Sequence, residues 1–260
     1  MFKKEPVKDV TIVPGYPGVL NRMLSNCELD MSPISSATCA DIHGDILLLP
    51  QFCLSSVGYV GSVTLVSNLP IEDLDKKKIG VTNASHTSAV LLKILLKKYY
   101  NARPVYQTTG PRPKLEDFDA ALLIGNDAMK KNKIPPTYSY DLGDLWLRKT
   151  GHPVVFAVFA IKKSALDKYH SKINLIISSY QKSLKYLKNE RNKVIANAKQ
   201  RYPDVIYDIN NYYDLLKFEF TDELKNALMF YFQEGANLNL IKKTENVIFY
   251  NGQTTEHDNF

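Results

Sequence analysis

Residues 78–98 read KIGVTNASHTSAVLLKILLKK and change both period and chemistry within a few positions. Ile79-Gly80-Val81 is a short buried strand end, residues 82–88 form a polar turn, and residues 89–96 a helix apolar on most faces. The hydroxyls of Ser85, Thr87 and Ser88 admit two readings: caps for the helix, or donors in an anion site beside the unpaired N–H groups of its first turn. The pattern returns at Met31-Ser32-Pro33-Ile34-Ser35-Ser36, a strand end that finishes in two hydroxyls before helical residues 37–40. Residues 46–49 are a continuous apolar run, the signature of a fully buried strand.

A third stretch spans residues 54–67. Gly58 and Gly61 permit close backbone approach, and the Ser62 hydroxyl directly precedes the β-branched strand of residues 63–66. Asn68-Leu69-Pro70 and the polar residues 72–78 then read as a first crossing between lobes. Residues 105–108 are a short strand, Pro111-Arg112-Pro113 a rigid loop, and residues 119–127 a buried strand ending in Gly125, with Asp127 a helix cap. Thr150-Gly151-His152-Pro153 leads into residues 154–161, a nearly unbroken apolar strand read as the return crossing. Strands alternating with helices predict an α/β fold with a largely parallel sheet and ligands beyond the carboxyl ends of its strands. The lobes are expected at residues 1–67 plus 155–260, and at 68–154.

At the N-terminal end, residues 10–13 suggest a short strand and residues 17–25 a helix. At the other end the chain turns helical: Ile173, Ile176, Ile177, Tyr180, Leu184 and Leu187 form one apolar stripe from residue 172 onward. Further helices are expected at 190–201, 212–216 and 222–233, the last capped by Thr221, and the polar tail 253–260 is expected to fray.

Composition narrows the partners. A chain with 45% hydrophobic and 23% charged residues is neither disordered nor collagen-like. Its net charge of +6 comes from lysines scattered along helical faces without an arginine cluster, which fits a small anionic ligand better than nucleic acid. Cys27, Cys39 and Cys53 lack C-x-x-C spacing and are expected as buried reduced thiols, with no metal site. No run approaches the roughly 18 apolar residues of a membrane helix, and no apolar core follows the first lysines as in a signal peptide, so a cytoplasmic location is expected.

Taken together, Asp30-Met31-Ser32-Pro33-Ile34-Ser35-Ser36, Gly61-Ser62-Val63, Ser85-His86-Thr87-Ser88, Ala121-Leu122-Leu123-Ile124-Gly125 and Tyr140-Asp141-Leu142-Gly143 with Trp146, followed by Thr150-Gly151 and Pro153, carry a resemblance. In this order they resemble chorismate dehydratase of the futalosine route to menaquinone, over about residues 13–160 and more weakly through the helical part. The resemblance implies a two-lobed fold like that of type II periplasmic binding proteins, with the ligand in a cleft between lobes and a helical C-terminal part. It implies a hydro-lyase that needs no cofactor and converts chorismate to 3-[(1-carboxyvinyl)oxy]benzoate and water. Ser35, Ser36, Gly61, Ser62, Ser85, Thr87, Ser88 and Gly125 are then the candidate substrate-binding residues, with Ser62 facing the Ser85 turn across the cleft.

The chemistry suits such donors. Removal of the chorismate C3 proton drives charge through the ring diene into the ring carboxylate, and preorganised hydroxyls and N–H groups stabilise that charge. His86 is expected to be a solvent-facing turn histidine rather than a base. Family members typically open with a Tyr-Leu-Asn-x-x-Pro motif, which has no counterpart after Met1-Phe2-Lys3, so the catalytic residue is left unassigned. On that ground the chain 1–260 is expected to turn over chorismate slowly or not at all, and the alternative is a non-catalytic small-carboxylate binding protein of the same fold.

Overall fold

A computed structural model describes residues 6–130 and 135–252. The first lysines and the tail from Gln253 lie outside the described residues. The chain begins with α1 (Pro17–Ser25), β1 (Met31–Ser35), α2 (Ser36–Ile42) and the long β2 (Ile46–Ser56). There follow β3 (Val63–Ser67), β4 (Lys78–Thr82), α3 (His86–Ile94), β5 (Val105–Thr109), β6 (Ala120–Ile124), α4 (Asn126–Met129), β7 (Tyr138–Asp141) and α5 (Leu142–Thr150). Then come β8 (Val154–Lys162), α6 (Lys163–Asn189), α7 (Arg191–Arg201), α8 (Ile209–Leu215), β9 (Leu216–Glu219) and α9 (Asp222–Asn237). Residues 10–13, expected as a strand, form no regular element, and β9 begins at Leu216, where a helix was expected to end.

The strands form a four-stranded sheet in the order β1-β8-β2-β9 and a five-stranded sheet in the order β5-β4-β6-β3-β7. Two expectations are corrected here. β3 pairs with β6 and β7, so the chain crosses between sheets over residues 57–62, before β3 rather than after it at Asn68. The polar break at 68–78 is a surface connection within the second sheet's lobe. The sheets are also less parallel than predicted: β4 runs parallel to β5 and β6, whereas β3 and β8 run against all their neighbours. Each of those two strands enters its sheet from the opposite lobe, and that direction of entry reverses it.

Burial follows side-chain alternation. Along β2, Ile46 and Leu48 face the large core, while Leu47 and Leu49 face a second cluster with Phe159, Ile161 and Ile173. Both faces are covered, which is why four consecutive apolar residues are needed. Partly buried Ile177, Tyr180 and Leu184 of α6 complete the second cluster beside Ile173, while Ile176 and Leu187 of the predicted stripe stay outside it, and the helix starts at Lys163 rather than at residue 172. The large core runs through both lobes, from Leu24 and Ile34 to Leu65, Ile79 and Leu122, and on to Leu224 and Phe232 of α9. Among the described residues, no helix is long and apolar enough to cross a membrane.

Candidate functional site

The carboxyl ends of β4, β5 and β6 and the start of antiparallel β3 share one edge of the five-stranded sheet. Ser85 caps α3: its Oγ accepts from Ser88 N at 3.3 Å and lies 2.9 Å from Ser88 Oγ. The His86 and Thr87 N–H groups, one turn too early for an intrahelical partner, point out of the helix end. Ser62 stands on the same edge two strands away, about 10 Å by strand spacing. It therefore does not face the Ser85 turn from the opposite lobe, because β3 belongs to this sheet. Its carbonyl accepts from Gly125 N at 2.7 Å, so Ser62 and Gly125 are held as a pair. Gly125 has φ +56, and nothing lies near the position of a Cβ there.

The opposing wall comes from α1, β1 and α2. Buried Asn21 grips Ser35 twice, donating from Nδ2 to Ser35 Oγ at 2.9 Å and accepting from Ser35 N at 3.0 Å. Ser36 Oγ donates to the Val155 carbonyl at 2.6 Å, and Thr87 Oγ1 donates to that of Phe156 at 2.8 Å while accepting from Ala37 N at 3.3 Å. A hydroxyl has one proton. Those of Ser36 and Thr87 are committed to the first residues of the crossing strand β8, and Thr87, bonded to Phe156 and Ala37, ties α3 to the other lobe.

Ser62 differs. Tyr212 of α8 donates its phenol proton to Ser62 Oγ at 3.1 Å, which leaves the serine's own proton to be donated elsewhere. Burial raises the Tyr212 pKa above the usual tyrosine value, keeping that proton in place. Gly61, at φ +73, has the Tyr207 ring 3.2 Å from where a Cβ would stand, and its N–H donates to Asp141 Oδ2 at 2.7 Å. Asp141 also accepts from Val60 N and Asp144 N, so one carboxylate gathers the crossing loop and caps α5. Its pKa is raised because burial outweighs those bonds.

Three further expectations change. His86 is half-buried rather than solvent-facing: Nδ1 lies 3.2 Å from Thr38 Oγ1 and 3.9 Å from Asp41 Oδ2. Asp127 is not a cap but accepts from Arg112 Nε at 2.8 Å, leaving Gly125 as the N-cap residue of α4. Cys39 and Cys53 are buried, with pKa values pushed up by burial to about 12 and about 11, but Cys27 is exposed in a left-handed turn after α1.

Between the two walls lies a cavity of about 350 Å³, bounded by Gly18, Asn21 and Thr38 on one side and by Asn83, Ser85 and His86 on the other. Gly18 is required there, because a Cβ would fall 2.2 Å from the Asn83 carbonyl oxygen. Larger hollows of about 770 and 550 Å³ flank α9 and β9, but no expected site residue lines them. The strand-end position, not the volume, singles out the smaller cavity, which Ser85 lines, while Ser62 and Gly125 stand on the same sheet edge outside it. Asn21, Tyr212 and Asp141 were not anticipated as parts of this region; only the Asp141-Leu142-Gly143 spacing, which brings a helix cap and a glycine together, marked one of them.

Two α/β lobes, two crossings and a polar cavity between them define a protein of the periplasmic-binding-protein fold. The alkanesulfonate-binding protein of Xanthomonas axonopodis bound to MOPS superposes with TM-score 0.63 at 12% identity, over 93% of this chain and 87% of that one. The Archaeoglobus fulgidus protein AF1704 superposes with TM-score 0.54 at 20% identity, over 88% of this chain and 86% of that one. The chain belongs to the menaquinone biosynthesis family, whose model matches residues 2–237. It is 31% identical over 169 residues to the chorismate dehydratase of Thermus thermophilus. That alignment takes in 58% of this chain and 61% of the Thermus protein, so the chain spans less than two thirds of its relative's length.

Proposed function

We propose that this protein is a hydro-lyase that eliminates water from chorismate to give 3-[(1-carboxyvinyl)oxy]benzoate. The observation that carries the reading is the row of donors at the strand ends, Ser62 with Gly125 beside the Ser85 turn, in a chain similar to a chorismate dehydratase. In the reaction the C3–H bond breaks, its electron pair enters the ring π system, and the C4–O bond breaks, so that the proton lost from C3 and the hydroxide lost from C4 make up one water. The charge that passes into the ring carboxylate is greatest between those events. Donors that tighten on it there accelerate the step without strengthening ground-state binding to the same degree. Ser62 suits this role because Tyr212 donates to its Oγ and leaves the serine's own proton free to be donated. The test is to incubate the purified protein with chorismate and follow the aromatic product by absorbance. Slow product formation that falls further in Ser62→Ala is expected; binding of chorismate with no product would retire the reading in favour of a carboxylate-binding protein.

A further inference from the structure

The cavity between the walls holds a cation that the donor row does not explain. His86, Ala89 and Lys93 stand at positions i, i+3 and i+7 of α3 and form one stripe along the cavity. Small Ala89 leaves the middle of that stripe open. Lys93 sits at its far end with its ammonium 5.4 Å from the Tyr106 ring centroid, and no carboxylate among the described residues pairs with it. The rest of the lining is amide, hydroxyl, imidazole and apolar, with no Asp or Glu. Asp41, 3.9 Å from His86 Nδ1, is not among the lining residues. At the other end of the stripe the His86 pKa is held below the usual histidine value by burial first, with Asp41 opposing and Lys93 adding to the shift. A polar hollow with one unpaired ammonium and no acid favours an anion, and a dianion occupying both ends needs a counter-charge away from the Ser85 turn.

Resting on the reading above, we propose that Lys93 is a specificity-determining residue that receives the second carboxylate of the substrate, the one on the enolpyruvyl side chain. Ser85, the one member of the donor row that lines this cavity, takes the ring carboxylate together with the first N–H groups of α3. Lys93 thereby selects aromatic ligands carrying two carboxylates separated by an ether arm over those carrying one.

The probes are 3-(carboxymethoxy)benzoate and 3-methoxybenzoate, which differ by the second carboxylate, titrated calorimetrically into the full chain. The parent should prefer the dicarboxylate by about tenfold or more, the scale of one hydrogen bond to a charged group. Lys93→Gln should lose that preference while binding 3-methoxybenzoate as before, and Lys93→Arg should keep it. The proposal is overturned if Lys93→Gln retains the preference, if it weakens both ligands equally, or if the parent has no preference. A parent that prefers the dicarboxylate yet forms no product from chorismate would end the dehydration reading and leave the Lys93 assignment standing.

Discussion

At Ser62 a neighbour's donated bond leaves the serine's own proton free, and that makes the residue testable alone and in combination. Ser62→Ala removes the donor, and its affinity for 3-methoxybenzoate should fall by on the order of 1–3 kcal/mol, measured by calorimetry. Tyr212→Phe should weaken binding less, and adding it to Ser62→Ala should cost almost nothing more, since the phenol acts only through the serine. Additive losses would show that Tyr212 acts otherwise. His86 supplies a pH signature. Its pKa is held below 6.5 by burial first, with Asp41 opposing and Lys93 adding to the shift. The folded state thus binds the proton less readily than the unfolded chain. The His86 contribution is complete above pH 6.5 and is lost as pH falls from there through the lowered value. Urea midpoints should fall from pH 7.5 to pH 5.5 more steeply in the parent than in His86→Gln; parallel profiles would refute this. The hydroxyl-rich turns were visible in the sequence, but their proton bookkeeping was not. Nothing local to Ser36 or Thr87 shows that the carbonyls of Val155 and Phe156 will take their protons.

Among the elements, the junction of α5 with the crossing loop is the tightest. A Cβ on Gly143 would stand 2.3 Å from the Gly58 carbonyl oxygen, and Gly58 itself has φ +74. Gly143→Ala must push the loop away and loosen the three N–H bonds on Asp141, so the urea midpoint should drop by the equivalent of about 1–3 kcal/mol at unchanged slope. An unchanged midpoint would mean that the loop yields freely. Element types were largely legible: the strands at 46–49, 105–108 and 154–161, the helix after Ser85 and the Thr221 cap of α9 all appear. What failed was partnership. Asn68-Leu69-Pro70 is a real break, but a break signal does not say which sheet the preceding strand joins, and β3 found its partners in β6 and β7. β9 was not anticipated beyond the expected end of a helix at Leu216, because four residues carry too little period to announce a strand, and it is the edge pairing with β2 that makes them one.

For the whole molecule, the large core passes from one lobe to the other without interruption, and α9 packs beneath α3 with the Tyr231 hydroxyl donating to the Thr87 carbonyl at 3.2 Å. The lobes should therefore unfold together. Far-UV circular dichroism, reporting all helices, and the fluorescence of Trp146 in α5 should trace one coincident urea transition; separated midpoints would show independent lobes. Trp146 is fully buried against Tyr99, Phe230 and Tyr231, and its indole N–H has no partner among the described residues. Cys27, in the lobe of the four-stranded sheet, is the one exposed thiol among the described residues, while the raised pKa values of Cys39 and Cys53 keep those thiols unreactive near neutrality. The chain thus carries a natural optical ruler: an emitter in one lobe, and in the other a single reactive handle for an energy-accepting dye, so that opening and closing can be timed by energy transfer without altering a residue.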